Sequence, residues 1–307
     1  HMNEPSRSLH IELRQWRQFV ALVEELHFGR AAARLHMTQP PLTQAIARLE
    51  AALGVRLFNR TQRSVQITPA GAALLPEVRE LLARAQALPE LARAAAAGEL
   101  GRLRLAFVST VGFELLPRWV RAFREQWPQV ALELIEATGD VQLELLARGE
   151  VDAGFVLHSP GFTAPGLAQA LIASEPLVVA LPESHPLALE ERPALKSLLA
   201  EPLVIFPRRI LPSLFDAIFA LYNASGRVPQ VAQEAIQMQT IVNLVSAGLG
   251  MAWVPQSVRQ FQRPGVVYRS VAWPRGRAVP ACETSLVWRA DAVSPVLSHF
   301  INFAKAQ

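Results

Sequence analysis

Between Thr38 and Gly54 two kinds of residue alternate with helical period. Leu42, Ile46, Leu49 and Leu53 recur every three or four positions and face inward on such a helix. At 100° per residue, Gln44, Ala47, Arg48 and Ala51 then face outward, with Thr43 at the edge. Gln39, Thr43 and Gln44 bring amides and a hydroxyl to the start of the helix, a set able to bond base edges or phosphates. The helix start itself favours a phosphate, and the small alanines would let the backbone approach a groove closely. Arg48 lies on the same face, and Arg60 and Arg63 lie in the basic turn that follows, within reach of a nucleic-acid backbone or minor groove. An ordinary three-helix subdomain with a solvated polar face has the same spacing, so the pattern alone leaves both readings open.

The neighbouring elements are those that would hold such a face in place. Residues 13–27 set Leu13, Trp16, Val20 and Val23 at helical spacing, and residues 30–36 form a short alanine-rich helix. Thr38 offers an N-cap, Pro40 and Pro41 occupy a first turn that needs no N–H, and Gly54 stops the helix. Two helices joined by a tight turn, the second opening in polar residues, make a helix-turn-helix. Val55–Phe58 and Val65–Ile67 are short extended runs around the basic turn, a wing-like hairpin. From Pro69 to about Gly98 runs an Ala/Leu/Glu/Arg stretch with Pro76 and Pro89 at possible bends. Its stripe of Leu74, Leu75, Val78, Leu81, Leu82, Ala85 and Leu88 is too broad for a solitary helix, which must pack on the next domain or pair with a second copy; the pair is the favoured expectation.

Composition sharpens the picture. The 307 residues suggest two domains. The formal charge is +4, and the first 70 residues, with nine arginines against five glutamates, account for all of it. That suggests a polyanion partner docking there, although +4 is modest and any soluble surface could carry it. The single cysteine, Cys282, excludes a disulfide framework and a cysteine-based zinc finger. No apolar run approaches ~20 residues and no secretion signal is evident, so no membrane association and a cytoplasmic location are expected.

Beyond Gly98 and Gly101 strands and helices alternate. Strands are predicted at 103–108, 130–136, 151–157, 176–182, 202–207 and 251–255, and helices at 115–128, 141–150, 213–225 and 237–249. This is an α/β pattern of βαβ units on a mainly parallel sheet. Ligands in such sheets sit beyond the carboxyl ends of strands, at helix N-termini. That rule selects Ser109, Thr110, Thr138 and His158, and further on Phe206, Pro207, Arg208 and Gln237. Each has a plainer alternative: helix caps for the hydroxyls, a core aromatic for Phe206, a solvated charge pair for Arg208 and Arg209, a surface histidine for His158. There is no G-x-S-x-G elbow, P-loop or H-E-x-x-H, and no histidine pair has metal-ligand spacing. An enzyme is not expected, nor a cofactor or metal. A transport-type solute-binding protein would explain residues 103–307 but not the basic helix-turn-helix.

Residues 18–71 resemble the LysR-type DNA-binding domain. The likeness rests on Phe19, the run AAARLHMTQPPLTQAIARLEAALGVRLFNR (31–60) and ITPAG (67–71). It continues through LLPRWVRAF (115–123), Pro128, GEVDAGF (149–155), ESHPLA (183–188) and GLGMAWVP (248–255). The resemblance implies a winged helix-turn-helix over 1–68, a linker and dimerisation helix over 69–98, and an effector domain over 102–307. That last domain would be like a periplasmic binding protein, with lobe one at 102–171 and 274–307 and lobe two at 172–273. It implies DNA contacts at Gln39, Pro40, Pro41, Thr43, Gln44, Arg48 and Arg63, although many relatives have arginine at the position of Gln44. Within the family the chain looks most like the branch that controls aromatic-compound breakdown and senses muconate-like acids, with Thr110, Thr138 and the FPR segment around the effector. Some of those relatives carry arginine where this chain has Val156-Leu157, which favours a monocarboxylate or a less charged aromatic product. The implied protein is a transcriptional activator working as a dimer or tetramer. Its partners would be double-stranded promoter DNA, a small-molecule effector and RNA polymerase.

Overall fold

A computed structural model describes residues 11–61 and 64–306. The chain divides into two compact units, one up to Arg93 and one from Ala94 onward.

The first unit opens with three helices, α1 (Leu13–Glu25), α2 (Phe28–Arg34) and α3 (Gln39–Leu53). The Gln15 side chain accepts from the Glu12 N–H at 2.9 Å ahead of α1, and the His27 ring accepts from Arg30 N at 3.2 Å ahead of α2. Thr38 occupies the N-cap of α3 without a side-chain bond, Pro40 and Pro41 lie in its first turn, and Gly54 ends it at φ +69°. Leu42, Ile46 and Leu49 are fully buried against Phe19 and Leu22 of α1 and Leu57 and Phe58 beyond. Strands β1 (Phe58–Arg60) and β2 (Val65–Ile67) pair antiparallel with Phe58 opposite Ile67. Helix α4 (Pro69–Ala96) runs through Pro76 and Pro89. Val78 is buried and Leu74, Leu75 and Leu82 pack on the first-unit core, whereas Leu81, Leu88 and Leu91 are exposed.

The second unit begins with β3 (Gly101–Phe107), α5 (Leu115–Gln126), β4 (Val130–Glu136), α6 (Gly139–Ala147) and β5 (Ala153–His158). It continues with β6 (Ala168–Pro182), α7 (Leu195–Leu198), β7 (Leu203–Ile205), α8 (Pro212–Asn223), β8 (Val231–Glu234) and α9 (Met238–Ser246). It ends with β9 (Ala252–Pro255), β10 (Val266–Arg269), β11 (Ala281–Trp288) and α10 (Pro295–Lys305). Seven strands form one sheet in the order β10-β6-β11-β5-β3-β4, with β9 also on β6.

That sheet is not mainly parallel, as the alternation predicts. Among the described residues only β3–β4 and β3–β5 are parallel pairs in it; β6 and β11 lie antiparallel to each of their neighbours. The reason is β6, which spans 15 residues and begins at Ala168 rather than near Pro176. Its first half pairs with β11, and its second half with β9 and β10, so one strand serves two lobes. The first half is only partly buried, so it lacks the continuous apolar run that marks 177–181. On the first lobe, Trp119, Phe123, Phe155, Phe300 and Phe303 pack edge-to-face. On the second, Ile205, Tyr222, Val242 and Val254 are buried, and Trp253 Nε1 donates to the Tyr222 hydroxyl at 3.3 Å.

Candidate functional site

Two polar surfaces emerge, one in each unit. In the first, Gln39, Pro40, Pro41, Gln44 and Arg48 are exposed along α3. Thr43 is half-buried, and its hydroxyl donates back to Gln39 O at 3.1 Å. Gln44 and Arg48 share a concavity with Arg14 and Gln18 of α1. Neither Arg14 nor Arg48 forms an ion pair among the described residues. Beneath this face lies Glu50, whose carboxylate accepts from Leu57 N at 2.9 Å and Phe58 N at 3.1 Å and pairs with Arg60 at 2.8 Å.

The second surface is a cleft between the lobes, with about 500 Å³ of space free of protein atoms, some of it open to solvent. Three helix starts open onto it. Thr138, Leu211 and Gln237 are the N-caps of α6, α8 and α9; all three line the cleft, and none caps its helix with a side chain. The leading backbone N–H groups of these helices are thus left for something else to accept. Ser109 and Thr110, buried residues on a single 3₁₀ turn after β3, add two hydroxyls without hydrogen-bond partners among the described residues. The Thr138 hydroxyl is committed, donating to Asp140 Oδ1 at 2.5 Å, and Asp140 in turn meets Arg209 of the other lobe at 3.4 Å. Leu157, Phe206, Ile210 and Ile241 make an apolar wall, and among the described residues no charged side chain lines the cleft.

The chain was compared with known proteins. Residues 13–72 match the family of bacterial regulatory helix-turn-helix proteins of the lysR type, and residues 96–307 match the LysR substrate binding domain. The chain belongs to the LysR family. It is 46% identical to the HTH-type transcriptional regulator IlvR of Caulobacter vibrioides, over 95% of this chain and 97% of that one. It is 38% identical to the HTH-type transcriptional regulator AlsR of Bacillus subtilis, over 97% and 96%. Full-length CbnR complexed with its target DNA superposes with a TM-score of 0.80 at 30% identity, covering 96% of this chain and 99% of that one. The protein is a LysR-type DNA-binding transcription regulator, built as a helix-turn-helix followed by an α/β effector domain.

Within this LysR-type chain, the residues predicted from sequence fall into three groups. Ser109, Thr110, Thr138, Phe206 and Gln237 line the cleft together. Pro207, Arg208 and His158 do not. Arg208 points instead to Asp216, with two hydrogen bonds of 2.8 and 2.7 Å, which hold the Asp216 carboxyl below its ordinary range. His158 is neither in the cleft nor on the surface. Strand β5 runs one residue further than its predicted end, so the ring is buried between Ser285 Oγ and Ser159 O, each at 2.8 Å. Arg60 lies in β1 rather than in the wing turn, tied to Glu50 and placed 5.0 Å over the Phe28 ring. Arg63 lies outside the described residues.

Sequence reasoning also missed three residues. Arg14 joins the α3 face, where the charge excess of the first 70 residues announces it without placing it. Arg209, not Arg208, reaches the other lobe, at Asp140. Gln142 is fully buried and donates to Ala137 O at 2.9 Å and Phe155 O at 3.0 Å, fixing the turn that leads into α6. Its signal was Gly154, a glycine inside a strand, where a Cβ would lie 2.4 Å from Gln142 Oε1.

Proposed function

We propose that this regulator senses a small organic monocarboxylate, bound between the lobes of its second unit. The observation that carries this reading is the cleft itself: the uncapped starts of α6, α8 and α9 open onto it, and among the described residues no charged side chain lines it. Helix starts supply partial positive charge and free N–H groups, enough for one carboxylate. Thr110 and Ser109 orient it, and Phe206 and the apolar wall take the hydrocarbon or aromatic body. A second carboxylate would find no cation of its own and would be desolvated at a cost.

In the first unit, α3 reads promoter DNA through Gln39, Gln44 and Arg48, with Pro40, Pro41 and Thr43 shaping the helix entry and Arg14 and Arg63 supplying backbone contacts. The exposed Leu81, Leu88 and Leu91 of α4 pair two copies, giving a dimer or a higher oligomer on a near-palindromic site. The effector acts by binding one relative arrangement of the lobes better than another, which alters promoter geometry and RNA polymerase recruitment in the cytoplasm. A thermal-shift screen of the whole chain against aromatic and aliphatic acids tests the sensing role. An acid present at 100 times its Kd should add about 2.7 kcal/mol of stability. If only dianions stabilise the protein, or no acid does, the reading fails.

A further inference from the structure

On the second lobe, away from the cleft, three arginines border one concavity of about 1040 Å³ of space free of protein atoms: Arg192, Arg259 and Arg269. Among the described residues the only carboxylate in the lining is Glu191, so three positive charges face one negative, a net of +2. None of the three arginines forms an ion pair among the described residues. They are nevertheless held in place, by neutral acceptors. Arg269 gives Nε and Nη2 to Ala188 O at 3.1 and 2.9 Å and Nη1 to Tyr268 O at 3.1 Å. Arg192 Nη2 reaches Val271 O at 3.4 Å, and Arg259 Nη2 donates to Ser270 Oγ at 2.7 Å. Arg259 Nε is buried with no hydrogen-bond partner.

A solvated charge run behaves otherwise. Like-charged side chains on a free surface spread into water, and arginines drawn inward usually find a carboxylate. Here two backbone carbonyls fix the Arg269 guanidinium and the Ser270 hydroxyl holds that of Arg259, neither is neutralised by an ion pair among the described residues, and one buried donor is left over, while Arg192 stands exposed beside them on a single long bond. Arg259 and Arg269 are thus pre-organised for an anion, because little of their rotamer freedom remains to be lost on binding.

We propose that this concavity is a second ligand site, separate from the cleft, for a small polyvalent anion of the phosphate or polycarboxylate class. The three guanidinium groups match a doubly or triply charged ligand, in contrast to the cleft, which has no charged side chain. The site does not depend on the monocarboxylate reading and stands or falls separately.

Isothermal titration calorimetry of the whole chain at moderate salt tests it, with inorganic pyrophosphate and, separately, citrate. At least one of the two should bind, and Arg259→Gln and Arg192→Gln should each weaken it about tenfold or more. Arg192 is exposed and holds a single long bond, so its variant reports on binding even if Arg259→Gln disturbs the fold. Pyrophosphate alone binding assigns the phosphate class, citrate alone the polycarboxylate class, and both together a site that reads charge. The first unit also presents free arginines, so Arg48→Gln is the deciding comparison. If the signal disappears with Arg48→Gln and survives Arg192→Gln and Arg259→Gln, the anion binds the helix-turn-helix and the proposal is overturned. It is equally overturned if neither anion binds at millimolar concentration.

Discussion

The α3 face and the cleft present their polar groups by opposite means. On α3 the groups are side chains, exposed and largely unpaired, carried on a helix whose other face is fully buried. In the cleft the groups are helix starts and hydroxyls, with no charged side chain in the lining among the described residues. The first arrangement can be re-specified one residue at a time at little cost to folding, because surface substitutions away from special contacts stay within about 0.5 kcal/mol. The second is made by where α6, α8 and α9 are placed, so it is altered chiefly by changing what holds those helices.

The contrast can be broken first at Gly154. An alanine there puts its Cβ 2.4 Å from Oε1 of the fully buried Gln142, which is itself bonded to Ala137 and Phe155. Gly154→Ala should cost about 1–3 kcal/mol as overpacking, read as a lower urea midpoint, and should weaken acid binding by displacing the start of α6. An unchanged midpoint would mean that the cleft is not rigidly founded. In the first unit the comparable lesion lies beneath the reading face rather than on it. Glu50→Gln keeps one oxygen to accept, now as a neutral group, from Leu57 N and Phe58 N, but sets an NH2 that cannot accept against Arg60, and should cost about 1–2 kcal/mol. DNA affinity should fall alike on all sequences, and a loss confined to one sequence would show that Glu50 acts on recognition directly.

On the face itself, stability should barely move. Arg48→Ala is expected to flatten the salt dependence of DNA binding by about one unit of slope. Gln44→Ala should reduce discrimination between sites by roughly 1–3 kcal/mol if it bonds a base edge. Gel-shift titrations at several salt concentrations separate the two, and identical losses from both would remove the distinction between backbone and base contacts.

The same contrast explains what could be read from the sequence. The α3 face was legible because a helix of 15 residues with Leu42, Ile46 and Leu49 inward leaves its outward residues determined by period alone. Ser109, Thr110 and Thr138 were legible because they follow strand ends, which the βαβ pattern marks, and Gln237 because it opens a predicted helix. Arg208 was misplaced because strand position says nothing of a competing carboxylate on the following helix; Asp216 lies eight residues away and captures it. His158 was misplaced because its burial depends on β11, a strand more than 120 residues further on that was not predicted. Long-range antiparallel pairing, by β6 and β11 above all, was the part of the fold that local periodicity does not encode.

A smaller effect concerns β6 where it passes between lobes. Burial pushes the Glu175 carboxyl above its ordinary value of 4.5, although Ser257 opposes this with its N–H at 2.6 Å and its hydroxyl at 3.0 Å. The folded protein therefore holds this proton more tightly than the unfolded chain. Stability should fall as pH rises from about 4.5 through the raised value, then level off. Glu175→Gln should remove that slope in urea titrations across pH, and an unaltered slope would assign it to other groups.

The central claim is that the cleft holds one carboxylate by helix starts and hydroxyls alone. Calorimetry of the whole chain with matched mono- and dicarboxylates, on wild type and on Thr110→Val, tests it most directly. The Thr110 hydroxyl has no hydrogen-bond partner among the described residues, whereas that of Thr138 is already given to Asp140. The account predicts that a monocarboxylate binds more tightly than its dicarboxylate partner. It also predicts that Thr110→Val weakens the monocarboxylate about tenfold or more and that Thr138→Val costs less. Tighter binding of the dicarboxylate, with Thr110→Val indistinguishable from wild type, would contradict it.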